Sequence, residues 1–464
     1  MHDHCSERMS SSETRAASGL ALVFAFRMLG MFMVLPVLAT YGMDLAGATP
    51  ALIGLAIGAY GLTQAFFQIP FGIISDRIGR RPVIYLGLIL FALGSVLAAQ
   101  SNTIWGVIAG RVLQGAGAIS AAVIALLSDF TREQHRTKAM AIIGITIGLS
   151  FSAAMVIGPL LTRVSGLRGL FLTAGGMALL GIMIVAFIVP RSTSTLAHRE
   201  SSLVRRALLP ILKHPALLCL DLGICVLHAI LMCSFVALPL ALIEKAGLPK
   251  EQHWWVYLTA LLISLFVMIP FINYSEKKRK IKRVFLSAIV TLMLIELFFW
   301  RFGDSLWTLV IGTIVFFTAF NLLEALLPSL VSKVSPAGSK GTAIGVYATS
   351  QFLGSALGGV MGGWISQHGG LSVVFLGSAG LAAFWLAFAV IMHEPPYVIS
   401  IRLPLSPEAI CEAGLVERLE TVAGIVDAFV VAEEAAIYIK LDTELLDRAT
   451  LEQLVNQSPV VRLA

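Results

Sequence analysis

The chain has 464 residues, 57% of them hydrophobic and 13% charged, with a mean hydropathy of +0.87. A soluble domain carries about 25% charged residues, so an ordinary soluble enzyme or nucleic-acid-binding domain is excluded and a polytopic membrane protein is indicated. The net charge of +6 and pI near 9.1 then have to be explained by where the cations lie.

Apolar stretches long enough to cross a ~30 Å hydrocarbon core as helices fall at 18–41, 51–74, 83–99, 104–128, 139–162, 170–189, 216–243, 254–274, 284–300, 306–331, 341–366 and 371–392. Twelve transmembrane helices are predicted. Polar residues Met1–Arg15 run directly into a first span longer than the apolar core of a signal peptide, so no cleavable leader is expected. With the N-terminus placed in the cytoplasm, the inner segments before the tail hold 21 Lys and Arg, and the outer loops five. Positive residues stay inside, so both termini are expected to be cytoplasmic. The excess cation thus reports topology, and no nucleic-acid partner is expected. Cys5, Cys219, Cys225, Cys233 and Cys411 form no CxxC pair and read as small packing residues rather than metal ligands.

Between the second and third spans runs Gly72-Ile73-Ile74-Ser75-Asp76-Arg77-Ile78-Gly79-Arg80-Arg81-Pro82. It predicts a tight basic turn at a membrane surface. Gly72 is expected to admit a neighbouring helix closely, and Gly79 to permit a sharp backbone turn. The plain alternative is a loop whose charge only fixes topology.

Features of the first half return about 200 residues later. Phe-x-x-Leu-Pro occurs at 32–36 and at 235–239; Ile69-Pro70-Phe71 returns as Ile269-Pro270-Phe271; Ala125-Leu126-Leu127 returns as Ala325-Leu326-Leu327. Collinear echoes argue for a duplicated six-helix unit, here 16–189 and 216–392. The linker 190–215 alternates apolar and basic residues from Ser201 to Lys213, which predicts a short interfacial helix; a plain linker is the alternative. Glu276-Lys277-Lys278-Arg279-Lys280 repeats the acid and bases of the 72–82 turn without its glycine.

After Glu394-Pro395-Pro396 the composition changes: 397–464 holds 11 acids and five bases. Strands are predicted at Val398–Leu403, Asp427–Ala432, Ala435–Leu441 and Val460–Leu463, and helices at Pro407–Glu420 and Asp447–Asn456. The order βαββα(β) fits a small cytoplasmic α+β ferredoxin-like domain. Such a domain takes a ligand or a protein partner, or regulates without chemistry of its own.

An ionisable group near the bilayer centre costs about 2.5–3.5 kcal/mol on insertion scales, so each one needs a reason. The candidates are Arg27, Arg111, Asp221, His228, Glu296 and Glu324. Asp221 and Glu296 are expected to reach the interface from their helix ends, whereas Arg27 and Arg111 lie deeper. His228 and Glu324 are the best titrating pair, with a purely structural histidine as the alternative. Asp221 and His228, seven apart, share a helix face, and so do Asn321 and Glu324. Tyr60, Gln64 and Gln68 give the second helix a polar stripe that could face the same substrate cavity as Arg27.

The pattern Gly72-x-x-x-Asp76-Arg77-x-Gly79-Arg80-Arg81 resembles the loop signature of the major facilitator superfamily of secondary transporters. Arg111-Val112-Leu113-Gln114-Gly115-Ala116-Gly117 is similar to the fourth-helix motif of its proton-coupled members. The resemblance implies an all-α membrane fold of two six-helix repeats, with substrate bound between them. It implies that Arg111 and Gln114 face a central cavity, where a fixed cation makes a neighbouring acid's proton releasable. It also implies a conformational latch, with Arg80 between Asp76 and Asp129 and the dipole of the helix starting at Lys340-Gly341 receiving Asp76. That latch would close the halves inside and give an outward-open state. Gly144, Gly148, Gly158 and Pro159 resemble the fifth-helix antiporter motif, but Ala154 and Leu160–Arg163 depart from it. The expected function is a proton-coupled efflux antiporter for small apolar or cationic compounds, in the inner membrane. It would act on protons and a small molecule, with no enzymatic chemistry, cofactor or metal. A proton-coupled permease for a small metabolite such as a sugar, or a non-transporting membrane sensor, are the alternatives.

Overall fold

The computed structural model describes residues 9–131, 133–190, 210–335, 340–392, 398–404, 416, 419, 421–431 and 436–442. Thirteen helices make up its membrane part: α1 (Ser11–Phe32), α2 (Leu35–Tyr41), α3 (Pro50–Ile78), α4 (Arg80–Gln100), α5 (Ile104–Ala116), α6 (Ser120–Phe130), α7 (Glu133–Phe187), α8 (Pro215–Glu244), α9 (His253–Lys277), α10 (Ile281–Phe302), α11 (Leu306–Val334), α12 (Lys340–Gly369) and α13 (Leu371–Ile391). Every predicted span falls on them, and the departures from one helix per span have local causes.

The first span is interrupted between Phe32 and Leu35, because Pro36 lacks the N–H that would continue the ladder and instead opens α2. The fourth is broken at Gly117–Ile119. There Gly117 touches Gly87 so closely that an added Cβ would lie 2.2 Å from the Gly87 carbonyl oxygen. The fifth and sixth spans run together as α7, whose candidate membrane stretch Lys138–Phe187 of 50 residues is too long for one crossing. The chain turns back at Gly166, with φ 63° and ψ −174°. Gly158 packs on Met33 and Ala174 on Gly30, so residues on both sides of the turn meet the same end of α1.

The duplication extends to contacts. Arg81, at the start of α4, bonds the carbonyls of Val189 and Pro190 at the close of α7. Lys282, 201 residues on at the start of α10, bonds the carbonyl of Val390 at 3.0 Å near the close of α13. Each cation meets carbonyls left free at a helix C-terminus, where the dipole also favours it.

The halves meet along α3 and α12, and α12 packs in turn on α8 within the second half. An added Cβ at Gly54 would lie 2.3 Å from Gly359 O, at Gly58 2.5 Å from Ala356 O, and at Gly61 2.7 Å from Phe352 O. On the other side of α12, Gly354, Gly358 and Gly362 press against the backbones of Cys225, Ala229 and Cys233. Without a hydrophobic drive between helices in lipid, small residues that let backbones touch supply the adhesion. These glycines also make α12 the least apolar of the spans, and it is not among the ten helices that stand out by hydropathy. The seam occupies the end of the bundle away from the basic turns at 77–81 and 277–280. At that far end Gln367 of α12 accepts the Ala51 N–H of α3 at 3.1 Å, and Lys250 reaches Asp44 at 3.3 Å.

In the tail, β1 (Val398–Pro404), β2 (Ile425–Val431) and β3 (Ala436–Asp442) form an antiparallel sheet in the order β1-β3-β2. A central third strand, antiparallel to both neighbours, is the split arrangement a ferredoxin-like order requires. Ile437, Ile439 and Leu441 are fully buried on its core face. Residues 210–213 of the linker are helical. The rest of the linker helix, most of the first tail helix, the helix at Asp447–Asn456 and the strand at Val460–Leu463 lie outside the described residues.

Replacing Gly54 by valine forces the seam apart, because backbone atoms of α12 lie on both sides of the site. Spin labels at Met43 and Glu251, each next in sequence to a member of the Asp44–Lys250 contact at the far end, should shift to longer distances. Gly345→Ala, with no neighbour within 4 Å of its Cβ, should leave that distribution unchanged. Unaltered distances in Gly54→Val would mean that the seam does not hold this end closed.

Candidate functional site

Two buried arginines anchor the first half. Arg27 is 1% exposed. Its Nη2 donates to Gln64 Oε1 at 2.6 Å and to the Gly117 carbonyl at 2.9 Å, and its Nη1 to Ser120 Oγ at 3.4 Å. The α5–α6 break is what frees that carbonyl, so one irregularity supplies the partner another buried group needs. Gln64 Nε2 passes the chain on to Gln68 Oε1 at 3.0 Å, along one face of α3. Arg111 is also 1% exposed. Its Nε donates to Ala56 O at 3.3 Å, its Nη1 to Gln114 Oε1 at 3.0 Å, and its guanidinium lies 4.7 Å from the Tyr60 ring centroid. Gln114 in turn donates to Ser95 Oγ of α4 at 2.8 Å. Gln114 is therefore spent inside the first half, between α4 and α5, and not on a cavity between the halves. Among the described residues no carboxylate lies within ion-pair distance of Arg27 or Arg111.

The second half brings together His228 and Glu324, the pair singled out from the sequence. Gln351 of α12 stands between them: its Nε2 donates to Glu324 Oε1 of α11 at 3.3 Å and lies 2.8 Å from His228 Nε2 of α8. It donates to that nitrogen when the ring carries its proton on Nδ1. Glu324 Oε2 is itself 4.0 Å from His228 Nε2. His228's side chain is 10% exposed and that of Glu324 37%, so the acid is the member that reaches accessible space. Asp221 is buried on α8. Asn321 does not join Glu324: it donates to Ser264 Oγ of α9 at 2.9 Å. Three residues of helix turn the two side chains toward different neighbours.

Glu296 corrects the expectation that it reaches the interface. It is fully buried, with Oε1 3.0 Å from Ser234 Oγ. Sequence position placed it near a helix end, but α10 packs on α11 and α13 with Glu296 turned inward, onto Ser234 of α8.

Gln351 and an aromatic cluster escaped the sequence reading. Phe151 of the first half, backed by Phe32 at 5.0 Å, meets Phe235, Phe317 and Phe320 of the second with centroids 6.1–6.4 Å apart, and Phe320 lies 5.7 Å from His228. Single phenylalanines carry no signal in so apolar a chain. Gln351 does carry one, as an amide in an apolar run, but its meaning depends on what faces it.

At the basic end Gly79 has φ 99°, which a side chain would strain, and it lets α4 begin one residue after α3 ends. Arg80 is brought back onto Asp76 and Ser75 Oγ, and its Nε lies 3.6 Å from Asp129 Oδ2 of α6. Arg77 is exposed. Asp76, Arg80 and Asp129 thus come together within the first half, while among the described residues no bond joins Asp76 to the start of α12. Gly72 is not at a tight approach, since an added Cβ would make ordinary contact with Ala121 at 3.6 Å. Of the fifth-helix motif, Gly158 is packed, its added Cβ 2.6 Å from Met33 O, and Pro159 follows it within α7. Gly144 and Gly148 have nothing within 4 Å.

A sequence profile of the Major Facilitator Superfamily matches residues 20–359 and 258–407, and one of the YajR YAM domain matches 401–457. The inner membrane transport protein YajR of Escherichia coli (strain K12) is 52% identical over 451 residues, covering 97% of this chain and 99% of that protein. The multidrug resistance protein MdtH of Yersinia pestis (strain Pestoides F) is 24% identical over 346 residues, 74% of this chain and 84% of that one. A solved bacterial homolog of the human lysosomal transporter Spinster superposes with a TM-score of 0.68 at 14% identity, covering 83% of this chain and 97% of its own, which shows the shared fold. Two repeated helical bundles joined by a glycine seam, the signature turn and these matches lead to one conclusion: the chain belongs to the Major Facilitator Superfamily of membrane transporters.

Proposed function

We propose that this transporter is a proton-coupled antiporter of the inner membrane that exports small apolar or cationic compounds by alternating access. The observation that carries the reading is the bridged group His228–Gln351–Glu324. It sets a titratable acid and base from two helices on either side of a residue from a third, within spanning segments where ionisable groups are costly. The mixed aromatic wall beside His228 supports an apolar cargo, and the nearby carboxylate a cationic one. The names of the E. coli and Yersinia relatives, an inner membrane transport protein and a multidrug resistance protein, point the same way.

The charge bias puts the basic end and both termini in the cytoplasm. On that orientation the glycine seam is the outer gate, closed here. The cluster of Asp76, Arg80 and Asp129 then acts in the other half of the cycle, when the basic ends approach. A reduced flux is expected from Asp76→Asn and from Arg80→Ala with membrane insertion intact. Their double mutant should be less than additive, by about 0.5–3 kcal/mol of coupling. Strict additivity would separate the residues.

Glu324 is the proton carrier in this scheme, with His228 as its exchange partner and Arg111 as a fixed cation that favours the ionised acid. Outside pH is lower, so the acid loads its proton when open outward and releases it inside. Glu324→Gln mimics the protonated acid and should abolish gradient-driven flux while substrate counterflow survives in the same vesicles, screened against a panel of compounds. Full gradient-driven flux in both Glu324→Gln and His228→Ala would remove the assignment.

The two bundles, 16–189 and 216–392, form the transport unit, and 397–464 is a cytoplasmic domain that tunes it through a ligand or protein. Deleting 397–464 should leave a transporter that inserts and moves substrate with altered regulation. Failure to insert would show that the boundary is misplaced.

A further inference from the structure

The joint between α8 and α10 contains a buried acid that the transport scheme does not use. Glu296 is fully buried and 13 residues short of Leu309 in α11. Its Oε1 lies 3.0 Å from Ser234 Oγ, and its Oε2 has no hydrogen-bond partner. Ser234 Oγ also lies 2.9 Å from the carbonyl oxygen of Ile230, one turn back on α8.

A hydroxyl has a single proton, and two acceptors compete for it here. If Glu296 were an anion, Ser234 would have to abandon either the carboxylate or the Ile230 carbonyl. The Ile230 carbonyl keeps the Ser234 N–H of its own helix turn, but the carboxylate has no donor besides that hydroxyl, and a buried charge so poorly bonded costs about 1–3 kcal/mol or more. If Glu296 carries a proton, Glu296 donates to Ser234 Oγ and Ser234 donates to Ile230 O, and the oxygen left without a partner, Oε2, belongs to a neutral carbonyl and not to an anion. No Lys, Arg or His lies within ion-pair distance of Glu296 among the described residues. From α8, Cys233 is the titratable group beside it, and it offers no positive charge. An unpaired anion in such a place costs several kcal/mol.

We propose that Glu296 is a second proton-binding site, a neutral carboxylic acid that ties α10 to α8 through Ser234 and keeps its proton through the transport cycle. Its exclusion from accessible space separates it from Glu324. The proton is held by the joint and lost only when the joint opens. Loss of that proton leaves an unpaired charge between α8 and α10, so the joint loosens at alkaline pH while Glu324 can exchange freely.

The test is infrared spectroscopy of the full-length protein in lipid. At neutral pH the protein should show a carbonyl stretch of a protonated carboxylic acid that resists hydrogen–deuterium exchange. That band should vanish in Glu296→Gln and persist in Glu324→Gln. Because Glu296→Gln keeps the shape and can still donate to Ser234 Oγ, its melting temperature at neutral pH should match the parent. Above neutral pH the parent should lose thermal stability that the variant keeps. Gradient-driven flux should survive in Glu296→Gln. A spectrum with no such band, or one that Glu296→Gln leaves unchanged, overturns the proposal. Loss of gradient-driven flux in a variant that melts normally would show instead that the proton is transported, and would overturn the statement that it is retained.

Discussion

A polar group inside a hydrocarbon layer has no water to turn to, and the whole membrane part of this chain is arranged around that fact. Arg27 and Arg111, both 1% exposed, are held by backbone carbonyls, glutamine amides and an aromatic face rather than by acids. The first of these solutions needs a broken helix, and the break needs Gly117 pressed on Gly87. Irregular backbone and buried charge therefore depend on each other. Removing either would leave the other unsatisfied in the lipid.

Adhesion between the halves follows from the same medium. Lipid tails compete with leucine on equal terms, so backbone-to-backbone contact at glycines does what apolar burial does in water. α12 spends both of its sides on such contact, toward α3 and toward α8. That places Gln351 beside His228 and Glu324 on a helix that also forms the seam between the halves. The His228–Gln351–Glu324 group and the seam share one helix. A change in one therefore has a direct mechanical route to the other.

The two ends of the bundle are held by different forces. At the far end the glycine seam is reinforced by Lys250, which reaches Asp44 and lies 4.1 Å from the Tyr41 ring centroid. That ion pair is exposed and contributes about 0–1 kcal/mol, so packing decides the closure there. The pairing of Lys245 with Asp304, whose carboxylate it holds below its ordinary range, is similarly exposed and local. At the basic end a nearly buried Arg80 is shared by two acids, where loss of one partner weighs more.

Composition and spacing by themselves determined the membrane class, the apolar spans, the duplicated helical unit, the tight basic turn at 72–82 and three strands of the tail. These are local or periodic properties: span length is set by bilayer thickness, and strand alternation by the pleat. What faces what was decided only by the tertiary structure. Glu296 read as an interfacial acid because its distance from a helix end is visible in sequence, whereas the inward face of α10 that turns it onto Ser234 is not. Asn321 and Glu324 sit three apart on a helix, yet neighbours in space claim them separately. Gln114 belongs to a motif expected to face a cavity and is taken up by Ser95 instead. Gly72 and Gly54 look alike in the sequence, but one has room for a methyl group and the other has backbone on both sides. A residue's type fixes the partners it needs, and only the packed helices fix which partners it finds.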